Sequence, residues 1–235
     1  MTSGEAVSVV IPVFDGARHL GEALSSVREQ SRAPGEVIVV DDGSEDASGE
    51  LTARLAAAWP TLRLVRRSEN GGPSVARNDG VAVARGEFVT FLDADDRMTP
   101  QRLALQIAHL GAHPETDVVF GHEWIELEPG AVPPDWLRGL TAGVPNPYVM
   151  SMMIRRAAWE TVGGFDPALR LAEDTDWLSR ATAAGLGVAT IGDVLVRRRL
   201  HGGNLTQDVP LEVVRRSLAT VLRARIADRR PPPPA

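Results

Sequence analysis

The chain contains no cysteine. Disulfide frameworks and cysteine-ligated zinc are therefore excluded, and the chain can fold in a reducing compartment. Lysine is also absent, so all 25 basic residues are arginine. Arginine keeps its charge and suits phosphate recognition, but the bias runs through the whole chain and marks no site. No apolar run approaches the roughly 18 residues of a membrane span. Met1 to Ala6 has no basic residue and no long apolar stretch, so no signal peptide is expected, and a cytoplasmic location follows as the expectation. A net charge of -6 and a pI near 5.4 leave no basic surplus for nucleic acid. No G-x-G-x-x-G spacing follows the first apolar run, which speaks against a dinucleotide-binding dehydrogenase. Internal repeats are missing as well.

What is present is the composition of one globular domain: 235 residues, 43% of them apolar. Val7 to Phe14 is a β-branched run of buried-strand length. Leu20, Ala23, Leu24 and Val27 then recur at helical spacing within Leu20 to Gln30. Glu36 to Val40 reads as a strand, Ala47 to Trp59 as a helix and Thr61 to Arg66 as a strand. Asn70-Gly71-Gly72-Pro73 is a turn that opens a helix over Ser74 to Ala84. Glu87 to Leu92 is a fourth strand. This alternation predicts an α/β fold: a mostly parallel sheet with helices on both faces and right-handed connections.

From Thr99 the regularity weakens. A helix is expected over Pro100 to Leu110 and an apolar run over Asp117 to Ile125. Glu128 to Pro147 holds five prolines and three glycines and reads as a long functional loop. A strand over Tyr148 to Ile154, helices over Ala157 to Val162 and Glu173 to Ala184, and a strand over Gly187 to Leu200 follow. A last helix over Leu211 to Ile226 precedes a proline-rich tail. That helix places Leu211, Val214, Leu218, Val221, Leu222 and Ile226 on one side and carries several arginines. It is expected to pack on its own domain or a second subunit, with contact to an anionic membrane as the alternative.

Ligands of an open parallel sheet gather beyond the C-terminal strand ends. Here those ends carry Pro12 to Asp15, Asp41-Asp42 and Asp93 to Asp96. Carboxylates clustered after a buried strand repel one another unless a cation stands between them, and Mg²⁺ or Mn²⁺ prefers such oxygen ligands. Taken alone, Asp95 or Asp96 could equally cap the following helix, and Glu173, Asp174 and Asp176 could simply complement a helix dipole.

Several segments in order carry more weight. They are Val7 to Phe14, Val39-Val40-Asp41-Asp42-Gly43-Ser44, Asn70 to Asn78, Ala84 to Phe88, Leu92 to Asp96, Val162 to Asp166 and Ala172-Glu173-Asp174. With them the chain resembles the family 2 glycosyltransferases, whose fold is called GT-A, as far as about Thr206. The resemblance implies a GT-A domain over 1–206, with a nucleotide-sugar half to about 98 and an acceptor half over 99–206. Residues 207–230 are expected to form a C-terminal helix and 231–235 a proline-rich tail. It also implies that Pro12, Val13 and one of Asp41 or Asp42 line the nucleoside pocket. Gly72, Arg77 and Asn78 lie near the base or support its loop, and Asp93 reaches the ribose or sugar. Asp95 is expected to bind a divalent Mg²⁺ or Mn²⁺ bridging the phosphates, with His201 either near that metal or diphosphate as a further ligand or simply a solvated loop histidine, and Asp174 is expected to be the catalytic base. The implied reaction moves a sugar, with inversion, from a nucleoside diphosphate sugar, most often UDP, to an acceptor hydroxyl of a glycan, lipid, peptide or small molecule. Trp124, Trp136 and Tyr148 are candidates for acceptor contacts. Gln-x-x-Arg-Trp and membrane helices, both carried by the processive synthases, are missing, which implies a single-transfer enzyme. A sugar-nucleotidyltransferase and a non-catalytic nucleotide-sugar scaffold stand as alternatives.

Overall fold

A computed structural model describes residues 6–132, 151–169, 171–204 and 212–213. β1 (Val7–Val13) and β2 (Glu36–Asp41) are buried along nearly their whole length, as strands covered on both faces must be. α1 (Ala17–Arg28) follows β1 and buries Leu20, Ala23, Leu24 and Val27, the spacing that places one helix face on the sheet. α2 (Ser48–Ala56), β3 (Leu62–Arg66), α3 (Pro73–Ala82) and β4 (Phe88–Phe91) complete the alternation. β3 and β4 pair parallel with β2 and β1 respectively, as β1 does with β2.

Beyond β4 the sheet is mixed. It gains β5 (Arg97–Met98), β6 (Val118–Leu127), β7 (Met153–Arg155) and β8 (Val188–Leu200), in the order β3-β2-β1-β4-β7-β6-β8-β5. β7 runs antiparallel to β4 and β6, and β5 antiparallel to β8, while β6 and β8 are parallel with two irregularities near His122. The parallel expectation therefore describes the pairs of β1 to β4 and the β6–β8 pair, while the antiparallel pairs join strands distant in sequence. α4 (Arg102–Ala112) joins α1 and α2 on one face. α5 (Arg156–Val162) and α6 (Glu173–Ala183) join α3 on the other. Trp136, Tyr148 and all of the expected C-terminal helix except 212–213 lie outside the described residues. No helix among the described residues is long and apolar enough to cross a membrane.

Three packing features set the positions of the functional strand ends. Gly80 lets α3 sit directly on the sheet, since a Cβ there would lie 2.4 Å from a methyl of Val10. Arg102, fully buried on α4, donates to Thr90 Oγ1 (2.7 Å) and to the carbonyl of Phe91 (3.1 Å), fixing the end of β4. Burial pulls this guanidinium down to about 9, against the opposing charges of Asp96 and Asp93. Finally, Phe91, Trp159, Phe165 and Trp177 form one aromatic cluster, with Trp159 and Trp177 stacked at 5.5 Å. It clamps α5 and α6 to β4. Each such side chain, fully buried, contributes roughly 1.5–3 kcal/mol.

Candidate active site

The C-terminal ends of β1, β2 and β4 open on the same edge of the sheet. Val13 stands opposite Asp41 in the β1–β2 register, and the Asp42 N–H donates to the Val13 carbonyl at 2.8 Å. The two aspartates divide their work. Asp41, completely buried, accepts the Ser44 N–H (2.9 Å) and faces Arg66 (3.3 Å), so it shapes its own turn. Asp42 reaches across to the next loop. It accepts the Gly71 and Gly72 N–H groups (3.0 and 2.8 Å) and pairs with Arg67 (2.7 Å). Gly72 has φ of +87°, a conformation that favours glycine, and Pro73 begins α3 directly after it. A cavity of about 560 Å³ opens beside these turns, lined by Gly43, Ser44, Glu45, Arg66, Arg67 and Ser68.

Arg77 projects from α3 and ties two acidic segments together. Its side chain donates to Asp93 Oδ1 at 2.7 Å and to Glu173 Oε1 at 3.0 Å while only 7% exposed. Burial works against its charge, but the carboxylates of Asp93, Glu173 and Asp174 overcome this and hold the guanidinium firmly protonated. The β4 end is thereby fixed against the start of α6. Asn78, one residue on, does not point at the donor end. Its amide donates to the Phe165 carbonyl (2.8 Å) and accepts the Phe165 N–H (2.9 Å). Gly164 makes room for it, because a Cβ there would come within 2.6 Å of Asn78 Oδ1. Trp177 Nε1 and Arg180 donate to the carbonyls of the same turn.

Asp174 follows Ala172, which takes a left-handed φ of +65° without being glycine. Such strain is held only where the surroundings over-determine it. Asp174 accepts the Thr175 N–H at 2.7 Å, and among the described residues no side chain of another segment donates to it. Burial, then the charge of Glu173, raises its carboxyl to about 6, with the Thr175 hydrogen bond and Arg77 opposing. A carboxylate poised near neutrality is suited to accept a proton.

At the β4 end, Asp95 Oδ2 faces His201 Nε2 (3.1 Å) and accepts from Asn204 Nδ2 (2.9 Å). Burial and the Asp93 charge raise Asp95, and burial with both neighbouring aspartates pushes Asp96 well above the usual carboxylate range. Asp96 accepts the Arg199 N–H (2.8 Å) and anchors β8 there. Among the described residues no three His, Asp or Glu side chains form a closed metal cage. The donor set instead fits an open site. A carboxylate destabilised by a like charge, beside an imidazole and partly exposed, suits a hard divalent cation completed by phosphate oxygens and water.

The structure brings Asp95 and His201 together at the β4 end and ties Asp93 there to the segment bearing Asp174; Arg77, expected near the base or its loop, is the bridge, bonded to Asp93 and Glu173, and the fold alone does not test the roles expected of these residues. Sequence reasoning missed Asn204, whose only signal was its spacing three residues after His201. It also missed the pairing of Glu173 with Arg77, two residues 96 positions apart.

The profile described as glycosyl transferase family 2 matches residues 8–170. The glycosyltransferase AglE of Haloferax volcanii is 27% identical over 199 residues, 80% of this chain and 65% of that protein. An uncharacterized glycosyltransferase of Escherichia coli, YibD, is 31% identical over 167 residues, 69% of this chain and 48% of its own length. The first 349 residues of S. aureus TarS, solved with UDP-GlcNAc, superpose with a TM-score of 0.72 at 22% identity, covering 95% of this chain and 66% of that one. The mannosyltransferase PcManGT of Pyrobaculum calidifontis, solved with GDP-Man and Mn²⁺, gives 0.69 at 25% identity, covering 99% and 67%. The chain thus spans between about half and two thirds of these proteins. The matched profile, the α/β fold and the order of strand-end motifs agree, and the chain belongs to glycosyl transferase family 2.

Proposed function

We propose that this chain is an inverting, single-transfer glycosyltransferase that moves a sugar from a nucleoside diphosphate sugar to an acceptor hydroxyl. The observation that carries the reading is the Arg77 bridge, which holds Asp93 at the donor end beside the segment bearing Asp174. Donors of this class are bound by structural relatives, UDP-GlcNAc by one and GDP-Man with Mn²⁺ by another. UDP is the nucleotide we assign here.

Pro12, Val13 and Asp42 line the nucleoside pocket. Asp42 is the better placed of the two aspartates, since it stands between the Gly71-Gly72 turn and Arg67. Asp41 and Gly72 shape those turns, and Asp93 faces the ribose or sugar. Asp95, with His201 beside it, would hold Mg²⁺ or Mn²⁺. The cation supplies Lewis-acid stabilisation of the departing diphosphate when bound. Asp174 accepts the proton of the acceptor hydroxyl as that oxygen forms its bond to the anomeric carbon. The bond from that carbon to the diphosphate oxygen breaks, and the electron pair leaves with the nucleoside diphosphate. Attack from the face opposite the leaving group inverts the centre.

The β1–α1 turn separates this reading from a nucleotidyltransferase, which would use such backbone N–H groups to cradle phosphates. Here the N–H groups of Asp15, Gly16 and Ala17 are spent on Ser44, Ser48 and Asp46 at 2.9–3.1 Å. Incubation with a panel of nucleotide sugars and acceptors is expected to release nucleoside diphosphate, with the product anomer inverted by NMR. Release of pyrophosphate, or a retained anomer, would contradict the proposal.

A further inference from the structure

His19 has no part in the chemistry above, yet it touches His201, which faces Asp95 at the donor end. It sits in the first turn of α1, 6% exposed. Its ring packs on the ring of His201 with centroids 4.8 Å apart, and His201 in turn faces Asp95 through Nε2 at 3.1 Å. Arg199 donates through Nη1 to His19 Nδ1 at 3.0 Å. A guanidinium can only donate, so the neutral ring carries its proton on Nε2, which faces Glu128 Oε1 at 3.6 Å. Arg199 is itself fixed, to Glu22 at 2.5 Å and Glu128 at 3.4 Å through its side chain, and to Asp96 through its backbone N–H. Asn204 closes the circuit by bonding both Asp95 and the Arg199 carbonyl (3.1 Å). Losing the ring at position 19 would remove this ring contact from His201, whose Nε2 faces Asp95.

We infer that His19 is a positioning residue of the donor site: acting through the His201 ring, it holds the Asp95 carboxylate in the orientation that receives the cation and diphosphate. The inference rests on the donor-site reading above. Residues standing behind a ligating group commonly contribute ten- to a hundredfold in metal affinity.

Two substitutions separate this role from general packing. His19→Phe keeps a ring face against His201 but no acceptor for Arg199. His19→Gln keeps an acceptor but no ring. UDP is titrated into each purified protein by calorimetry, with Mn²⁺ and with EDTA. The Mn²⁺-dependent gain in affinity is expected to fall about tenfold or more in His19→Gln, to stay within about threefold of wild type in His19→Phe, and UDP binding in EDTA to be unchanged in both. Equal losses with and without Mn²⁺, no loss in His19→Gln, or a larger loss in His19→Phe would overturn the inference. A wild-type protein with no Mn²⁺-dependent gain for UDP, GDP or dTDP would overturn the donor-site reading itself, and the role of His19 with it.

Discussion

Asp174→Asn is expected to lower kcat by about 10²–10⁴ while making the protein more stable at neutral pH. Both effects have one cause. The fold raises this carboxyl to about 6, by burial first and the Glu173 charge second. An unfolded chain would titrate it near 3.9. Between those values the folded state binds more protons than the unfolded state, so stability falls as pH rises through the window. At pH 7 the full cost is present, and asparagine removes it. Allowing for solvent screening of a partly exposed group, the gain should be about 1–2 kcal/mol. It should shrink as pH drops from 6 toward 4. Urea melts of both proteins at several pH values measure this. In the active enzyme the ionised form is the base, so kcat/KM should be level above about 6 and fall tenfold per unit below it. A variant that keeps wild-type kcat would remove Asp174 from the chemistry.

Arg77→Met should carry the largest stability cost of the site substitutions. It leaves Asp93 and Glu173, both partly buried, converging on a space with no cation. Removing one partner of a buried ion pair typically costs about 3–5 kcal/mol, and the lower end is expected here because Asp93 is 27% exposed. Activity should fall at least as far as in Asp174→Asn, since the donor end and the base would no longer be tied together. The residual activity should show its acid limb moved above pH 6, because Arg77 opposes the upward shift of Asp174. Arg77→Lys restores a charge but not the two-pronged fork, so it should recover part of the stability and little of the rate. Chemical denaturation within about 0.5 kcal/mol of wild type for Arg77→Met would show the bridge to be dispensable.

The first half of the fold was legible because each β-strand is a short, buried, β-branched run bounded by turn residues. Val7–Val13 and Glu36–Asp41 could hardly be anything else. The second half was less so. β5 is two residues, Arg97–Met98, and exists only because β8 passes beside it. The strand expected over Tyr148 to Ile154 is seen as Met153–Arg155 within the described residues, too short to announce itself by alternation. At the site, Asp95, Asp174 and Arg77 stood in recognisable motifs. Asn78 stood in one too, but its amide is bonded to Phe165, 87 positions away, which no local pattern reveals. His19 drew no reading from the sequence, because the expected helix begins at Leu20 and α1 in fact begins at Ala17. Its meaning depends on Arg199 and His201, about 180 residues later.

The central claim is that Asp95 binds the cation that holds a nucleoside diphosphate at the end of β4. Calorimetric titration of UDP into the wild-type protein and Asp95→Ala, each with and without Mn²⁺, tests it most directly. Mn²⁺ is expected to tighten UDP binding to the wild-type protein, and Asp95→Ala to lose this gain while retaining its fold. If UDP, and then dTDP and GDP, bind wild type and mutant alike whether or not Mn²⁺ is present, the cation has no place at Asp95 and the account of the donor site is wrong.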